Sequence, residues 1–492
     1  MTVAEDRLHI GLRALEEERP RWERRQKYYE GDQDLPYAPD GVNQEYLTLR
    51  EQSVANWLAI AMDAPVQRLE TESLRTPDGK VDRDTWENVW VPNGLESLEK
   101  VVFNQMMVHA RGIWSVSKNP NNLKRPKVRP ENTSRVYMHC DPEDPFSHDW
   151  AVKTWKTAPS RTTSLWVPST ASAALGGKQV GVVYDDVEWV RFERDETSGF
   201  GLSGWRETNR GNHGLGELPF VQCSSNLNAD GKPHSAMNQL MRMNDALNTI
   251  RFNTLLAMQY SAYRQRIFTG YDPVVRDKAG DPVYLRNPDG SFVPGPDGRP
   301  MPQLNQMGRI GVDRALAFPG KDTKVYDLPE SNLDNYVTAY QQFLSDLFAT
   351  GQVPPQYALT KMANLSGDAL AGAESTLQAL IRDLKREAKM GIGKTMRLAN
   401  KARGAENPEL LTVDWADTEA KSFQQIVDGV VKLISVKFPR QAAFEMLPNA
   451  TPTKVANWME MFETEQAAEF SRKLLEEFTN DSALDDETAP AA

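Results

Sequence analysis

Cysteine is scarce: Cys140 and Cys223 are the only two, far apart and with no CxxC pair, which leaves no disulfide framework and predicts a reducing, intracellular setting. Long apolar runs are missing too. No stretch approaches the roughly 18 apolar residues of a membrane span, and no basic, apolar, small-residue leader opens the chain. The expectation is a soluble protein with no membrane partner. Positive charge is also in short supply, with 57 Lys and Arg against 68 Asp and Glu, a formal charge of -11 and a pI near 5.3. Tight global binding of nucleic acid, which releases counterions to a basic face, is disfavoured. An acidic wall is nevertheless compatible with a polyanion passing by, because a surface that gripped phosphates strongly would stall transport.

Complete catalytic motifs are absent as well. Gly391-Ile-Gly393-Lys394-Thr395 lacks the glycine a P-loop needs, since Ala388 stands in its place, and it lies in a helical pattern with no preceding strand. Gly211-Asn-His213-Gly214-Leu-Gly216 runs into Glu217-Leu-Pro219 and reads as a turn, not an anion loop opening a helix. Gly201-Leu-Ser203-Gly204-Trp205 misses the second glycine of a nucleophile elbow. His139, Cys140, Asp141, Glu143, Asp144 and His148 form the one metal-capable cluster, but Pro142 and Pro145 and the irregular spacing favour a solvated loop. His109 reads as a helix residue with no partner.

What is present is an average soluble composition, 40% hydrophobic and 25% charged over 492 residues, enough for two to four compact regions. The predicted fold class is α+β, predominantly α. Leu8, Leu12, Leu15 and Trp22 mark a first helical region up to Gly31, with Pro20 able to restart a helix. A second helix is predicted over 43–62, ending before Pro65, and a third over 95–110. Short strands are predicted at 113–117, 136–140, 152–156, 180–184 and 187–192, with a Ser/Ala-rich surface loop over 157–179. An apolar stripe then predicts a rod helix over 235–268, followed by a turn-rich β insertion and a helix capped by Ser331 that ends near Gly351. An irregular Pro loop precedes a long helix that Gly391 and Gly393 should kink. Helices over 418–437, 440–446 and 453–478 and a frayed acidic tail close the chain. No internal repeat is apparent.

Two helices bracketing a small β insertion would expose apolar stripes that a monomer cannot easily shield, which points to oligomerisation. The order of elements carries a resemblance. Tyr28-Tyr29-Glu30-Gly31, Trp90-Val-Pro-Asn93-Gly94-Leu95, Gly112-Ile-Trp114, Gly216-Glu-Leu-Pro219-Phe220-Val221 and Gly231-Lys-Pro-His-Ser235 stand in sequence, the last opening the rod with Asn244 and Asn248. Ala349-Thr350-Gly351-Gln-Val353-Pro354 and Ser366-Gly367-Asp368-Ala369-Leu370 follow. Over about residues 20–475 the chain resembles the portal proteins of long-tailed double-stranded DNA phages.

That resemblance implies a wing over 1–230, stem helices over 235–268 and 331–349, and a β-rich clip over 269–330. It further implies a tunnel loop over 350–366, a kinked wing helix over 367–404, a helical crown over 405–478 and a tail over 479–492. It implies a homo-oligomeric ring, most often of twelve subunits, at one capsid vertex, through which double-stranded DNA is packaged and ejected. Terminase large subunit, head-tail connector or adaptor proteins, and major capsid and scaffold proteins would be its partners. No catalytic residue, cofactor or metal is implied. Val353, Pro354, Gln356, Lys361 and Asn364 would face the DNA channel, Lys361 supplying a circle of positive charge. Leu247, Ile250, Leu255, Tyr336, Tyr340, Phe343 and Leu347 would pack stem helices of neighbouring subunits. Two rival readings remain at this point: a metal-dependent intracellular enzyme acting on nucleic acid through the His139–His148 cluster, and a head scaffold or capsid component.

Overall fold

The computed structural model describes residues 2–37, 44–141, 143–157, 177–195, 204–262, 266–269, 274–304, 324–327, 333–354, 367–405, 408–416, 423–447, 450 and 452–485. Thr2 accepts a hydrogen bond from Glu5 N (3.3 Å) and opens α1 (Val3–Glu30), which passes through Pro20 without a break. It ends where Gly31 adopts φ 87° and its amide reaches Lys27 O. The single second helix expected from the sequence is two: α2 (Gln44–Gln52) and α3 (Trp57–Val66). Asn56 separates them, because its side chain accepts from Ala59 N (3.2 Å) and starts a new helix. Pro65 lies inside α3 rather than beyond it.

Beyond α3 come β1 (Thr71–Arg75), the short turns α4 (Arg83–Thr85) and α5 (Val91–Asn93) around a π-helical turn at Trp86–Trp90, and α6 (Leu95–His109). The strands β2 (Arg111–Ser117), β3 (Lys127–Glu131), β4 (Val136–Cys140), β5 (His148–Thr157), β6 (Lys178–Tyr184), β7 (Glu188–Asp195), β8 (Arg206–Asn212) and β9 (Phe220–Ser224) then form two antiparallel sheets. Their orders are β4-β5-β6-β7-β8 and β3-β2-β9. The expected Ser/Ala loop lies, over 158–176, outside the described residues.

Alternation along β5, β6 and β7 puts Trp150, Val152, Val183, Val190 and Phe192 on one face, where Leu8 of α1 completes a buried cluster flanked by Leu12, Tyr137 and Trp205. Fully burying side chains of this size contributes about 1.5–3 kcal/mol each.

Next come α7 (Met237–Ala262), β10 (Arg266–Thr269), β11 (Lys324–Asp327) and α8 (Asp334–Thr350). The rod expected to reach Phe268 therefore stops earlier, and its last residues pair as β10 with β11. Ser331, the expected cap of α8, lies outside the described residues. The chain continues through α9 (Gly367–Ala402), β12 (Thr412–Trp415), α10 (Phe423–Ser435), α11 (Arg440–Phe444) and α12 (Pro452–Asp485). Here α12 extends into the segment expected to be a frayed tail. β12 pairs antiparallel with β1, from the opposite end of the sequence.

The chain divides into two compact units, one of residues 1–34, 55–246 and 343–492, the other of 35–54 and 247–342. In the first, α9 runs through Gly391 and Gly393 uninterrupted. A Cβ at Gly391 would collide with Cys223 Sγ of β9, and one at Gly393 with the Leu411 carbonyl just before β12. The glycines are close-approach positions within an unbroken helix.

In the second unit, residues 274–304 contain a repeat that the sequence reading missed. Three related turns, with Gly280, Gly290 and Gly298 at positive φ, each close with a backbone bond: Gly280 N to Asp277 O (3.1 Å), Gly290 N to Asn287 O (2.9 Å) and Gly298 N to Gly295 O (3.0 Å). Between the turns the backbone bonds run in two closed triangles. Val275 N donates to Gln303 O, Gln303 N to Val283 O and Val283 N back to Val275 O, at 2.7–2.8 Å. Leu285, Met301 and Val293 repeat the cycle at 2.9–3.0 Å.

Candidate functional site

The apolar stripes on α7 and α8 flank an open groove of about 170 Å³, lined by Arg251, Thr254, Leu255, Tyr336, Val337 and Tyr340. Along the pair, Tyr336 is 38% exposed, Phe343 44%, Val337 48% and Met258 50%. Ile250, Leu255 and Tyr340 are half-buried. Leu247 and Leu347 behave differently: both are 0% exposed within the single chain. Helical spacing finds an apolar face but does not say whether the chain's own residues already cover it.

The Pro loop is described only at its start. Gly351 N donates to Leu347 O (2.9 Å) and Val353 N to Phe348 O (2.9 Å), while Gln352 takes φ 56°. Val353, 2% exposed, and Pro354 are buried in the single chain. Gln356, Lys361 and Asn364 lie outside the described residues.

Several members of the metal-capable cluster have local partners, while His148 Nε2 is buried with none among the described residues. His139 Nδ1–H donates to Asp149 Oδ1 (2.8 Å), and its ring stacks on Trp150 at 4.6 Å. Asp141 and Asp144 accept from the backbone amides of Glu143 (2.9 Å) and Phe146 (3.2 Å). His148 sits opposite Cys140 in the β4–β5 ladder, and burial, with the Lys394 charge behind it, pushes it down to about 4. Among the described residues no three His, Cys, Asp or Glu side chains come together to hold a metal ion.

His109, expected to lack a partner, has two. Its ring stacks on Trp22 at 4.5 Å, and Nε2–H donates to Gln26 Oε1 (3.0 Å). Burial pushes it down to about 3. Two carboxylates escaped the sequence reading. Glu99 of α6 is 0% exposed and accepts from Thr71 Oγ1 (2.6 Å) and Thr71 N (3.2 Å); burial raises it to about 7. Glu217 accepts from Lys401 Nζ (2.8 Å) and pairs with Arg397, tying the β8–β9 connection to α9. Burial pushes Glu217 up, and its two cations more than reverse this. No spacing signals either residue, because both depend on pairing between distant segments.

The chain is acidic, divides into two compact units and leaves aromatic and aliphatic side chains exposed along α7 and α8. The family described as "Phage portal protein, SPP1 Gp6-like" matches residues 8–469, and the chain belongs to that family. Two of its relatives are the portal proteins of Mycobacterium phage D29, 23% identical over 393 residues covering 76% of this chain and 70% of the relative, and of Mycobacterium phage L5, 22% identical over 392 residues with the same coverage.

Proposed function

We propose that the chain is one subunit of a ring-shaped DNA channel at a capsid vertex, serving packaging and ejection and docking the terminase large subunit and head-tail connector proteins. The observation that carries this reading is the solvent-facing row Met258, Tyr336, Val337 and Phe343 in a chain of the portal family. Apolar surface of this kind gains about 25 cal/mol per Å² when a neighbour covers it. A closed circle of identical subunits covers every copy of the row and leaves none at an end.

In this reading α7 and α8 are the stem, residues 269–330 belong to the clip, and the segment beyond Pro354, with Lys361, faces DNA. The units containing the sheets and α9 form the wing, and α10–α12 the crown. The ring, most often of twelve subunits, meets major capsid and scaffold proteins at its rim and resides in the virion after assembly in the host cytoplasm. A metal-dependent enzyme has no converging side-chain cluster among the described residues to rest on.

Electron microscopy and mass measurement of the purified protein test the proposal. Rings of many subunits are expected for the wild type, and a smaller species for Tyr336→Asp/Phe343→Asp. Wild-type particles of single-chain mass would end this reading.

A further inference from the structure

The β2–β3 hairpin departs from the acidic character of the chain. Residues 117–130 hold five cations and no carboxylate, in a protein of net charge -11. The basic run at the middle of α1 is different: Glu16, Glu18 and Glu23 are interleaved with it, and Arg19 pairs with Glu16 (3.1 Å).

On the hairpin, Arg129 is held by the Asn93 carbonyl and side chain at 3.3 and 2.9 Å. Lys118, Lys124, Arg125 and Lys127 are exposed, and none forms an ion pair with a described residue. The tip is fixed in place. Asn119 Oδ1 accepts from Asn121 N (3.1 Å), Asn122 Oδ1 accepts from Lys124 N (3.1 Å), and Pro126 O accepts from the buried Asn93 Nδ2 (2.9 Å). Lys118 Nζ lies over Gly214 of the β8–β9 turn, within 2.5 Å of where a Cβ would stand, which extends the patch along that loop.

We infer that this hairpin is a docking surface for the phosphate backbone of double-stranded DNA, separate from the Pro loop. Four unneutralised cations held together repel one another, and an ordered hairpin cannot relax that repulsion by spreading out. A polyanion relieves it and releases its own counterions. A protein partner would be expected to need apolar anchors as well, and the tip offers only Leu123, 65% exposed, with no aromatic side chain. The choice of DNA as the polyanion rests on the portal reading; the site itself rests on the hairpin.

The test is fluorescence anisotropy of a short labelled duplex with the full-length protein over a salt series, with particle mass measured on the same samples. Compared are the wild type, Lys118→Gln/Lys124→Gln/Arg125→Gln/Lys127→Gln, and a control, Lys278→Gln/Arg299→Gln, whose exposed cations lie in the turn insertion. The hairpin variant should lose at least about tenfold in affinity at low salt, and its slope of log affinity against log salt should fall by about 3 to 4, at roughly 0.9 per phosphate contact. The control should match the wild type. Overturning outcomes are a wild type that does not bind the duplex, a hairpin variant with unchanged affinity and slope, a control that loses as much, or a hairpin variant that loses an acidic capsid partner while still binding DNA. Because mass is read separately, a failed ring and a failed hairpin are told apart.

Discussion

Glu99 is a carboxylate with no cation in contact, held by two hydrogen bonds from Thr71 in a fully buried position. Its folded value of about 7 lies above the ordinary 4.5. The folded state therefore binds its proton more tightly than the unfolded state does. The stability from this protonated form is fully present below pH 4.5 and is lost as pH rises through about 7. Glu99→Gln keeps a neutral side chain at every pH. It should gain about 3 kcal/mol over the wild type at pH 8 and nothing at pH 4, read as the difference between two denaturant titrations. A difference independent of pH would contradict the assignment. His109 and His148 act in the opposite sense: both are depressed by burial, so their contribution is present above the ordinary histidine value of 6.5 and fades as pH falls through about 4 and then 3. At this scale the sequence said little. It identified His148 as chemically capable, but its burial follows from a ladder that pairs it with Cys140.

At the scale of elements the sequence was legible where periodicity is local. Strand β4 appears at the predicted Val136–Cys140, and α6 and the end of α8 lie within a residue of their predicted places. It was not legible where a partner comes from far away. β1 and β12 are two short strands that find their only strand partner in each other, across more than 330 residues. The close packing at the α9 glycines was hidden for the same reason, since it depends on β9 and on Leu411. Gly391→Ala should destabilise by about 1–3 kcal/mol through overpacking, because the new Cβ meets Cys223 Sγ. Cys223→Ala in the same chain should recover part of that loss. A double-mutant cycle with no coupling would show that the two elements separate freely instead of being wedged.

For the molecule as a whole, the predicted α+β class with helix dominant matches the mixed architecture, and the family could be recognised from collinear fragments that are each weak alone. The apolar helix pair was legible as a face, but its division between Leu247 and Leu347, already enclosed, and Tyr336 and Phe343, still open, was not. The triangular turn insertion escaped because only two of its three turns share a Pro-Asp-Gly sequence, and its glycines are unevenly spaced.

Its topology has a practical consequence. Val274 and Leu304, where the chain enters and leaves, form a bridge with each other, and every rung above closes within the insertion. Among the described residues the segment is therefore closed by its own backbone bonds, which makes its length separable from that of the flanking chain. Replacing residues 275–303 with a short glycine linker should leave the unfolding free energy, read by denaturant titration, within about 1 kcal/mol of the parent, in line with the weak dependence of closure entropy on loop length; a large drop would show that the insertion supports the rest. Foreign peptides spliced between Asp289 and Gly290 would then be carried as passengers, making this turn a natural graft point for labels.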